Sequence, residues 1–166
     1  MIGSGAGEVI NSTDADGTVA IGYQALTTFN AAISGRGNNT AVGYLAGKEA
    51  TTASGSVFVG HDAGGSLTTG NDNIAIGSGV LQNNSTGDNN TAFGAWTMSA
   101  NTTGEKNVGL GRGALQSNST GDDNTASGYL ALNSNTTGTR NIAIGYGAYD
   151  AADTENDNLA IGYDAL

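Results

Sequence analysis

The stretch Asn141-Ile142-Ala143-Ile144-Gly145-Tyr146-Gly147-Ala148-Tyr149 recurs along the chain with small changes, and its spacing decides the fold. The glycine that follows its Ala-Ile pair recurs at a constant 17-residue step, at Gly43, Gly60, Gly77, Gly94, Gly111, Gly128, Gly145 and Gly162. An earlier copy at Gly22 precedes Gly43 by a longer step, and a weaker copy at Gly3 precedes Gly22, also by a longer step. Equal steps of this kind do not arise from composition alone. The sequence therefore predicts a repeat array of about ten units.

The composition narrows the class of protein. The 166-residue chain contains 28 Gly, no Pro and no Cys, and its 15 acidic and 5 basic side chains give a formal net charge of −10. Glycine without proline excludes collagen, and the lack of cysteine excludes disulfides and thiolate metal sites. No apolar run approaches the ~18 residues of a membrane-spanning helix, so we expect no membrane insertion. The negative charge repels phosphate backbones, so we expect no nucleic-acid partner.

Each unit combines an extended segment with a second apolar anchor. The residue before the repeat glycine and the residue two positions earlier are mostly bulky, and the residue between them is mostly Ala, with Phe58 and Gly109 as departures. Because side chains alternate along a strand, the two bulky columns share one face, and the Ala column leaves the other face flat for close approach of another surface. The apolar anchor that follows the glycine is Leu26, Leu81, Met98, Leu115, Leu132, Tyr149 or Leu166.

A 17-residue unit is too short for a helix pair or a propeller blade. It is typical of one coil of a parallel β-solenoid or β-roll with two short strands and two turns. We expect the Thr-Gly pairs of the connections to form turns in which Gly adopts positive φ. The sequence thus predicts an all-β fold with a single repeat domain over residues 1–166, irregular over 1–38 and regular over 39–166. Because the last repeat is truncated at Leu166, we expect a fragment or cleavage product of a longer fibre.

The bulky side chains of each coil form a thin core for a free-standing solenoid. The flat Ala column and the uniform register indicate that a second face is buried. Identical chains packed side by side about a three-fold axis would bury it. We therefore expect a homotrimeric rod, with a monomeric solenoid or another assembly as the alternative.

Three segments carry a resemblance to known fibres: residues 39–47, residues 141–149 and residues 124–138. They resemble repeats in the shafts of phage tail fibres and bacterial surface fibres, which often end in an endosialidase-type intramolecular chaperone. The Ala-Ile-Gly motif is also similar to the left-handed β-roll head of YadA-type trimeric autotransporter adhesins, although the 17-residue period is longer than the unit usual there. The resemblance covers roughly residues 18–166. It implies a trimeric, elongated, structural or adhesive segment of a virion tail fibre or of an extracellular or cell-surface fibre.

The sequence offers little for catalysis, and we expect neither an enzyme nor a cofactor. His61 is the only histidine, and Asp62 is only its sequence neighbour, so we interpret it as a substitution at a repeat position. The segment 109–114 half resembles a dinucleotide-binding loop, but the repeat does not allow the strand-to-helix context of that motif. Acidic residues of the connections form either a solvated edge or, alternatively, a structural calcium ladder: Asp72, Asp88, Glu105, Asp122, Asp123, Asp153, Glu155 and Asp157.

Two further columns are candidates for stacking and binding. An Asn column four residues before the glycine is expected to hydrogen-bond along the stack: Asn39, Asn73, Asn90, Asn107, Asn124, Asn141 and Asn158. A Tyr column directly after the glycine indicates interface packing or, alternatively, an aromatic strip that contacts sugars or proteins. Trp96 and Phe58 replace small residues and should be exposed or accommodated by altered packing. The candidate surface contacts are Tyr23, Tyr44, Trp96, Tyr129 and Tyr146, with Phe29 and Arg36 from the longer connection 27–37.

The favoured functional interpretation is a non-catalytic fibre segment, a rigid trimeric shaft or head of a phage tail fibre or bacterial adhesin. The alternative is an adhesion module that binds a host-surface glycan or protein through the aromatic column. An ice-binding or calcium-stabilised solenoid is a more distant third.

Overall fold

The computed structural model describes residues 2–8, 17–30, 37–151 and 154–166. Within these ranges it contains no helix and nine three-residue strands, all parallel and ordered in one sheet as they follow in the chain. The chain is a parallel β-solenoid of about 8 turns, which confirms the fold class that the repeat predicts. The strands are β1 (Val19–Ile21), β2 (Thr40–Val42), β3 (Val57–Val59), β4 (Ile74–Ile76), β5 (Thr91–Phe93), β6 (Val108–Leu110), β7 (Thr125–Ser127), β8 (Ile142–Ile144) and β9 (Leu159–Ile161).

The pairing register follows the sequence repeat from coil to coil. Val19 of β1 pairs with Thr40 of β2 across the longer first step, and Thr40 pairs with Val57 at the 17-residue step that all later strands keep. Ile2 extends the stack by an isolated parallel bridge to Ile21. Because a slip of one residue would turn every strand side chain to the opposite face, this register determines which columns are buried.

Each coil in the described ranges contains one strand, whereas the sequence led us to expect two. The rest of the coil consists of turns and bends, yet its backbone still bonds to the next coil: Leu115 N donates to Ala131 O, and Ser117 N to Asn133 O, both at 3.0 Å. Left-handed residues such as Leu115, at φ 53°, interrupt the extended backbone. The second side of the coil is therefore hydrogen-bonded along the stack without being a strand.

The core lies on the opposite face of the strands from the one that the bulky columns suggest. The middle residue of each strand, such as Ala75 or Ala126, is fully buried, whereas the first and third residues point outward and are exposed or half-buried. Leu81 and Leu132 of the anchor column are fully buried and fill the interior instead. A 17-residue coil encloses too narrow a space for an anchor and a bulky strand residue in every layer, so the small column faces inward.

The two departures from the Ala column show how tightly the interior is filled. Phe58 is fully buried, and the anchor positions that face it, in its own coil and the coil before, are Gly64 and Gly47. A Cβ on Gly47 would lie 2.8 Å from the Phe58 ring, and one on Gly64 would overlap it. Gly109 is the reverse case, because a Cβ there would lie 2.9 Å from Met98 Cε. Phe58 is thus accommodated by altered packing, one of the two outcomes that the sequence allows.

The repeat glycines are required by both backbone geometry and stacking. Gly94 and Gly145 have φ of 126° and 136°, a region that residues with a Cβ rarely adopt. A Cβ on Gly145 would also overlap the carbonyl oxygen of Gly162 in the next coil. Each repeat glycine before Gly162 therefore lets the backbone of its coil lie directly against the backbone of the next.

The Thr-Gly glycines are needed for a different reason from the one we expected. Gly87 and Gly104 do not have positive φ; a Cβ on Gly104 would instead lie 2.5 Å from Asn101 Oδ1 and from Gly121 O. The left-handed position of the connection comes two residues later and is held by polar or charged residues, with φ of 56–61°: Asp72, Asn89, Lys106, Asp123, Arg140 and Asp157. The prediction of positive φ at these glycines was wrong, because close packing against the next coil, and not the turn, excludes a side chain.

The Asn column forms the ladder that the sequence predicts. Asn107 is fully buried; its backbone N donates to Asn90 Oδ1 at 3.0 Å, and its Nδ2 donates to Gly121 O at 2.8 Å. Asn124 N in turn donates to Asn107 Oδ1 at 2.9 Å. Each side chain thus bonds to two backbone groups of the following coil, and its own backbone N bonds to the Asn side chain of the preceding coil, so these buried polar groups have the partners they require.

A second ladder of buried Asn residues, which the sequence did not lead us to expect, runs beside the first. Asn118 Nδ2 donates to Asn101 Oδ1 at 2.9 Å and to Gly121 O at 2.9 Å, so this ladder shares its glycine acceptors with the first. Its members recur at the same 17-residue step, and this recurrence in the sequence could have predicted the ladder: Asn84, Asn101, Asn118 and Asn135.

Replacing Gly145 by Ala tests the contact between coils, and Gly162→Ala is a matched control. The two glycines share nearly the same φ, 136° and 135°, but a Cβ on Gly162 meets only Ala165 Cβ at 3.7 Å. We expect Gly162→Ala to cost the backbone strain alone, about 1–3 kcal/mol, and Gly145→Ala to cost clearly more. Chemical denaturation measures both free energies of unfolding, and equal losses would contradict the stacking argument.

Replacing Asn107 by Asp tests the buried ladder. The change puts an oxygen where Nδ2 donates to Gly121 O, so we expect a loss of about 3 kcal/mol at neutral pH, against a smaller loss for Asn158→Asp at a half-buried position. Burial raises the pKa of the introduced carboxyl, so the loss at position 107 should shrink as the pH falls towards about 4, the ordinary pKa of a free Asp, because the protonated carboxyl can donate to the same carbonyl. Unfolding curves at several pH values measure this, and a pH-independent loss would count against it.

Candidate functional site

The outward face of the sheet is an extended, mainly apolar surface. We define it as the side chains of the first and third residues of β1–β9, of which fourteen are Val, Ile, Leu or Phe and four are Thr or Ser. None is charged, and several are well exposed, among them Phe93 at 55% and Ile144 at 43%. The strand side chains that the sequence suggested for the core therefore lie on the surface.

The Tyr column lies beside the outward face and forms two stacks. Tyr23, Tyr44 and His61 stack with ring centroids 5.2 Å apart, and Tyr129, Tyr146 and Tyr163 with centroids 5.1 and 5.0 Å apart. All six side chains are exposed. The Asp164 carboxylate raises the pKa of Tyr163. The candidate residues Tyr23, Tyr44, Tyr129 and Tyr146 are thus brought together in pairs on the surface, in two separate stacks.

His61 takes its place in the column as a stacked ring. It is exposed and lies nearly parallel to Tyr44, at an interplanar angle of 11°. Its neighbour Asp62 accepts a hydrogen bond from Gln82 Nε2 of the next coil. The carboxylate beside His61 is therefore engaged in holding two coils together.

A cleft occupies the break between the two Tyr stacks. It has a volume of about 490 Å³ and is lined by Trp96, Arg112, Gly113, Gln116, Tyr129 and Leu130. We call it the Arg112 cleft. Arg112 stands in the Tyr column, its guanidinium carbon 5.8 Å from the centroid of the Tyr129 ring, and its Nη1 donates to Tyr129 Oη at 3.3 Å.

The cleft exists because, from Gly79 onward, larger residues alternate with glycine in the column two residues after the repeat glycine. Trp96 adopts a left-handed backbone, at φ 62°, and its indole covers Gly79 of the preceding coil, where a Cβ would lie 2.7 Å from Cε3. Leu130 covers Gly113 in the same way, with its Cδ2 2.7 Å from the Cβ position. Gly113 thus leaves a gap between the Trp96 and Leu130 side chains, and this gap is the cleft.

The segment 109–114, which half resembles a dinucleotide loop, is used for packing. Gly109 is the buried middle residue of β6, Gly111 is a repeat glycine, and Gly113 lines the cleft. Residues 112–117 form turns, where a dinucleotide-binding motif would place a helix.

The longer connection does not present its aromatic residue to solvent. Phe29 is fully buried in the core, which corrects its assignment as a surface contact. Its ring fills the interior at the coil that contains the longer connection. Arg36, the other candidate from this connection, lies outside the described residues.

The acidic residues of the connections act as backbone acceptors between coils. Asp88 Oδ1 accepts from Asn71 N at 2.6 Å, and Asp122 Oδ1 accepts from Glu105 N at 2.7 Å. Asp157 pairs with Arg140, whose Nε lies 2.6 Å from Oδ1, and this hydrogen bond with its charge lowers the pKa of Asp157.

The described residues contain no cluster of three or more His, Cys, Asp or Glu side chains suited to hold a metal ion. Asp153, one member of the acidic column, lies outside them. The same residues include no helix that is long and apolar enough to cross a membrane.

No protein-family model, no curated protein and no solved structure matches this chain. The resemblance to fibre repeats rests on the sequence motifs alone.

Substituting Gly79 by Ala tests whether Trp96 is held over that glycine. Trp96 is the only tryptophan, so its intrinsic fluorescence reports this one site. We expect the Cβ to displace the indole and to shift the emission maximum. Gly147→Ala is the matched control: Gly147 has a similar φ, 58° against 65°, and contacts Asp164 instead. A shift of the same size in both variants would indicate general loosening and contradict the proposed contact.

Proposed function

We propose that this chain is a non-catalytic fibre segment that assembles with two further copies of itself through the outward face. The observation that carries the proposal is an uncharged, mainly hydrocarbon surface that runs along all nine strands. Neighbouring strands are spaced by about 4.8 Å, so this surface is roughly 40 Å long. Contiguous apolar surfaces of this extent on soluble proteins mark interaction sites.

The repeat of the outward face favours a second copy as the partner. Its side chains recur in every layer at the spacing of the strands. A partner can therefore match all nine layers only if its own side chains recur at the same distance along the rod. Another copy of the chain has the same spacing because it has the same fold. Three copies about an axis parallel to the rods bury each outward face against the other two and close the assembly.

The distribution of charge favours the same arrangement. The chain carries a formal net charge of −10, so two copies repel each other at most orientations. The outward face contains no charged side chain, and apolar burial there is not opposed by pairing or desolvating charges. Contact through this face keeps the carboxylates of the connections in water.

A rod of this kind has a mechanical function. Its coils are joined by backbone hydrogen bonds at every layer, so it holds what is attached to its ends at a fixed distance. We place it, with its resemblance to fibre repeats, in a virion tail fibre or a cell-surface adhesin.

A second candidate function is adhesion through the Tyr column. The observation in its favour is the exposure of both tyrosine stacks and of Trp96 at the break between them. Flat aromatic faces suit sugar rings and protein hot spots, and a fibre presents three such columns at once.

The mass of the wild-type chain in solution tests the assembly. We expect light scattering to give three times the 16.4 kDa chain mass. The combined variant Ile74→Lys/Ile142→Lys places two cations on the outward face, at positions exposed in the single chain, and should shift the mass to that of the monomer.

Thr86→Lys/Thr120→Lys is the control, because it adds the same charge at exposed connection residues away from the strands. It should leave the trimer intact. A wild-type protein at the single-chain mass, or an Ile74→Lys/Ile142→Lys variant that remains trimeric, would contradict the proposal.

A further inference from the structure

We propose that the Arg112 cleft binds a carboxylate-bearing sugar, a hexuronate or sialic acid residue of a surface glycan. The inference rests on the second candidate function, binding through the Tyr column, and names its ligand; it does not depend on the trimer. The cleft lies where two aromatic rings and a cation meet, between the two tyrosine stacks. Its volume of about 490 Å³ falls in the range of small-molecule sites.

The cation of the cleft is available to an external anion. The Arg112 side chain is exposed, and its hydrogen bond is to the Tyr129 hydroxyl. Arg140, by contrast, is paired with Asp157, in the one ion pair found among the described residues. A guanidinium offers a planar pair of donors that matches a carboxylate. The chain carries 15 acidic side chains, which repel anions. The exposed Arg112 guanidinium is a local positive charge, and it attracts an anion to the cleft.

The aromatic rings beside Arg112 provide the apolar half of the site. Trp96 is 43% exposed and presents ring surface to the cleft. The Tyr129 ring has Arg112 over one face and Tyr146 stacked on the other, so it offers its edge and hydroxyl. A pyranose ring has one face of C–H groups and an edge of hydroxyls, and such a face packs on an aromatic ring. A ligand that combines this face with one carboxylate uses both the Trp96 indole and the guanidinium.

The polar floor of the cleft is held in place by the next coil. Asn133 Nδ2 donates to Gly113 O at 3.0 Å and to Gln116 Oε1 at 3.2 Å. The Gln116 amide is therefore oriented before any ligand binds, and a preorganised polar group costs less to use in binding. Its position beside Arg112 suits hydroxyl groups of a sugar.

The surrounding charge selects a small anion over a polyanion. Nucleic acids and highly sulfated chains would bring many negative charges to a protein of net charge −10. One carboxylate on an otherwise neutral ring meets one guanidinium. A single sugar in an open cleft gains little beyond these contacts, so we expect a Kd of about 1 mM.

The experiment titrates the full chain with four sugars and follows Trp96 fluorescence. The acidic probes are glucuronic acid and N-acetylneuraminic acid, and the neutral probes are glucose and glucuronic acid methyl ester. We expect saturable binding of at least one acidic probe and binding weaker by about tenfold or more for both neutral probes. Equal responses to acidic and neutral sugars, or no saturable response to either acidic probe, would overturn the proposal.

Matched arginine variants locate the site. Arg112→Gln should weaken binding of the acidic sugar by about tenfold or more, and Arg112→Lys should restore part of it, because lysine retains the charge without the planar fork. Arg140→Gln removes an exposed arginine elsewhere and should leave binding unchanged. Both residues are exposed, and melting temperatures show whether the variants remain folded. Unchanged binding in Arg112→Gln would overturn the proposal.

Two further measurements separate this proposal from its alternatives. Acetyl-Gly-Phe carries a carboxylate and an aromatic ring on a peptide; if it binds and the acidic sugars do not, the ligand class is wrong. Tyr44→Ala tests the column away from the cleft on a glycan array. If Tyr44→Ala loses glycan binding and Arg112→Gln does not, the column binds but the cleft proposal fails. If neither variant affects glycan binding, the column proposal and the cleft proposal both fail.

Discussion

The direct contact between the repeat glycines of successive coils is the constraint on which the rest of the solenoid depends. Gly128 and Gly145 leave no space for a Cβ against the backbone of the coil that follows, so the coils must follow one another at the spacing of hydrogen-bonded strands. At this spacing identical side chains lie directly over one another. Asn107 can then bridge to Asn90, and Tyr146 can lie parallel to Tyr129.

The sequence alone was sufficient for the period, the parallel fold and the first Asn ladder, because each depends only on which residues recur at the repeat step. It was insufficient for the direction in which a column points. The alternation of side chains along a strand shows that Ile142 and Ile144 share a face, but it does not show whether that face points into the solenoid. The answer depends on the interior width, which the anchor Leu132 already occupies, and on the left-handed turns that bring the anchor inward. Gly47 and Gly64 opposite Phe58 show the same limit of interior space. Their role becomes clear only when the middle residues of the strands are known to point inward.

The Arg112 cleft was only partly accessible to sequence reasoning. Trp96 and Tyr129 stand out in the sequence as aromatic residues at or next to the Tyr column, whereas Arg112 shows only as an interruption of it. The sequence shows the alternation at the 17-residue step, but it does not show that a cleft results from it: Gly79, Trp96, Gly113 and Leu130. A left-handed backbone turns each large side chain back over the glycine of the coil before, so the gap at Gly113 opens beside Trp96. That direction follows from φ, which the composition of a column does not reveal.

The separation of charge from apolar surface connects the fold to both proposals. Acidic residues recur in the connections, where Asp88 and Asp122 accept backbone hydrogen bonds from the neighbouring coils. The strands carry no charge, and the face that can approach another copy is mainly hydrocarbon. Arg112 lies beside this face, at the end of a tyrosine stack, and its hydrogen bond is to the Tyr129 hydroxyl. Its guanidinium is thus left for a ligand from solution, and the same charge pattern that favours association through the strands favours binding beside them.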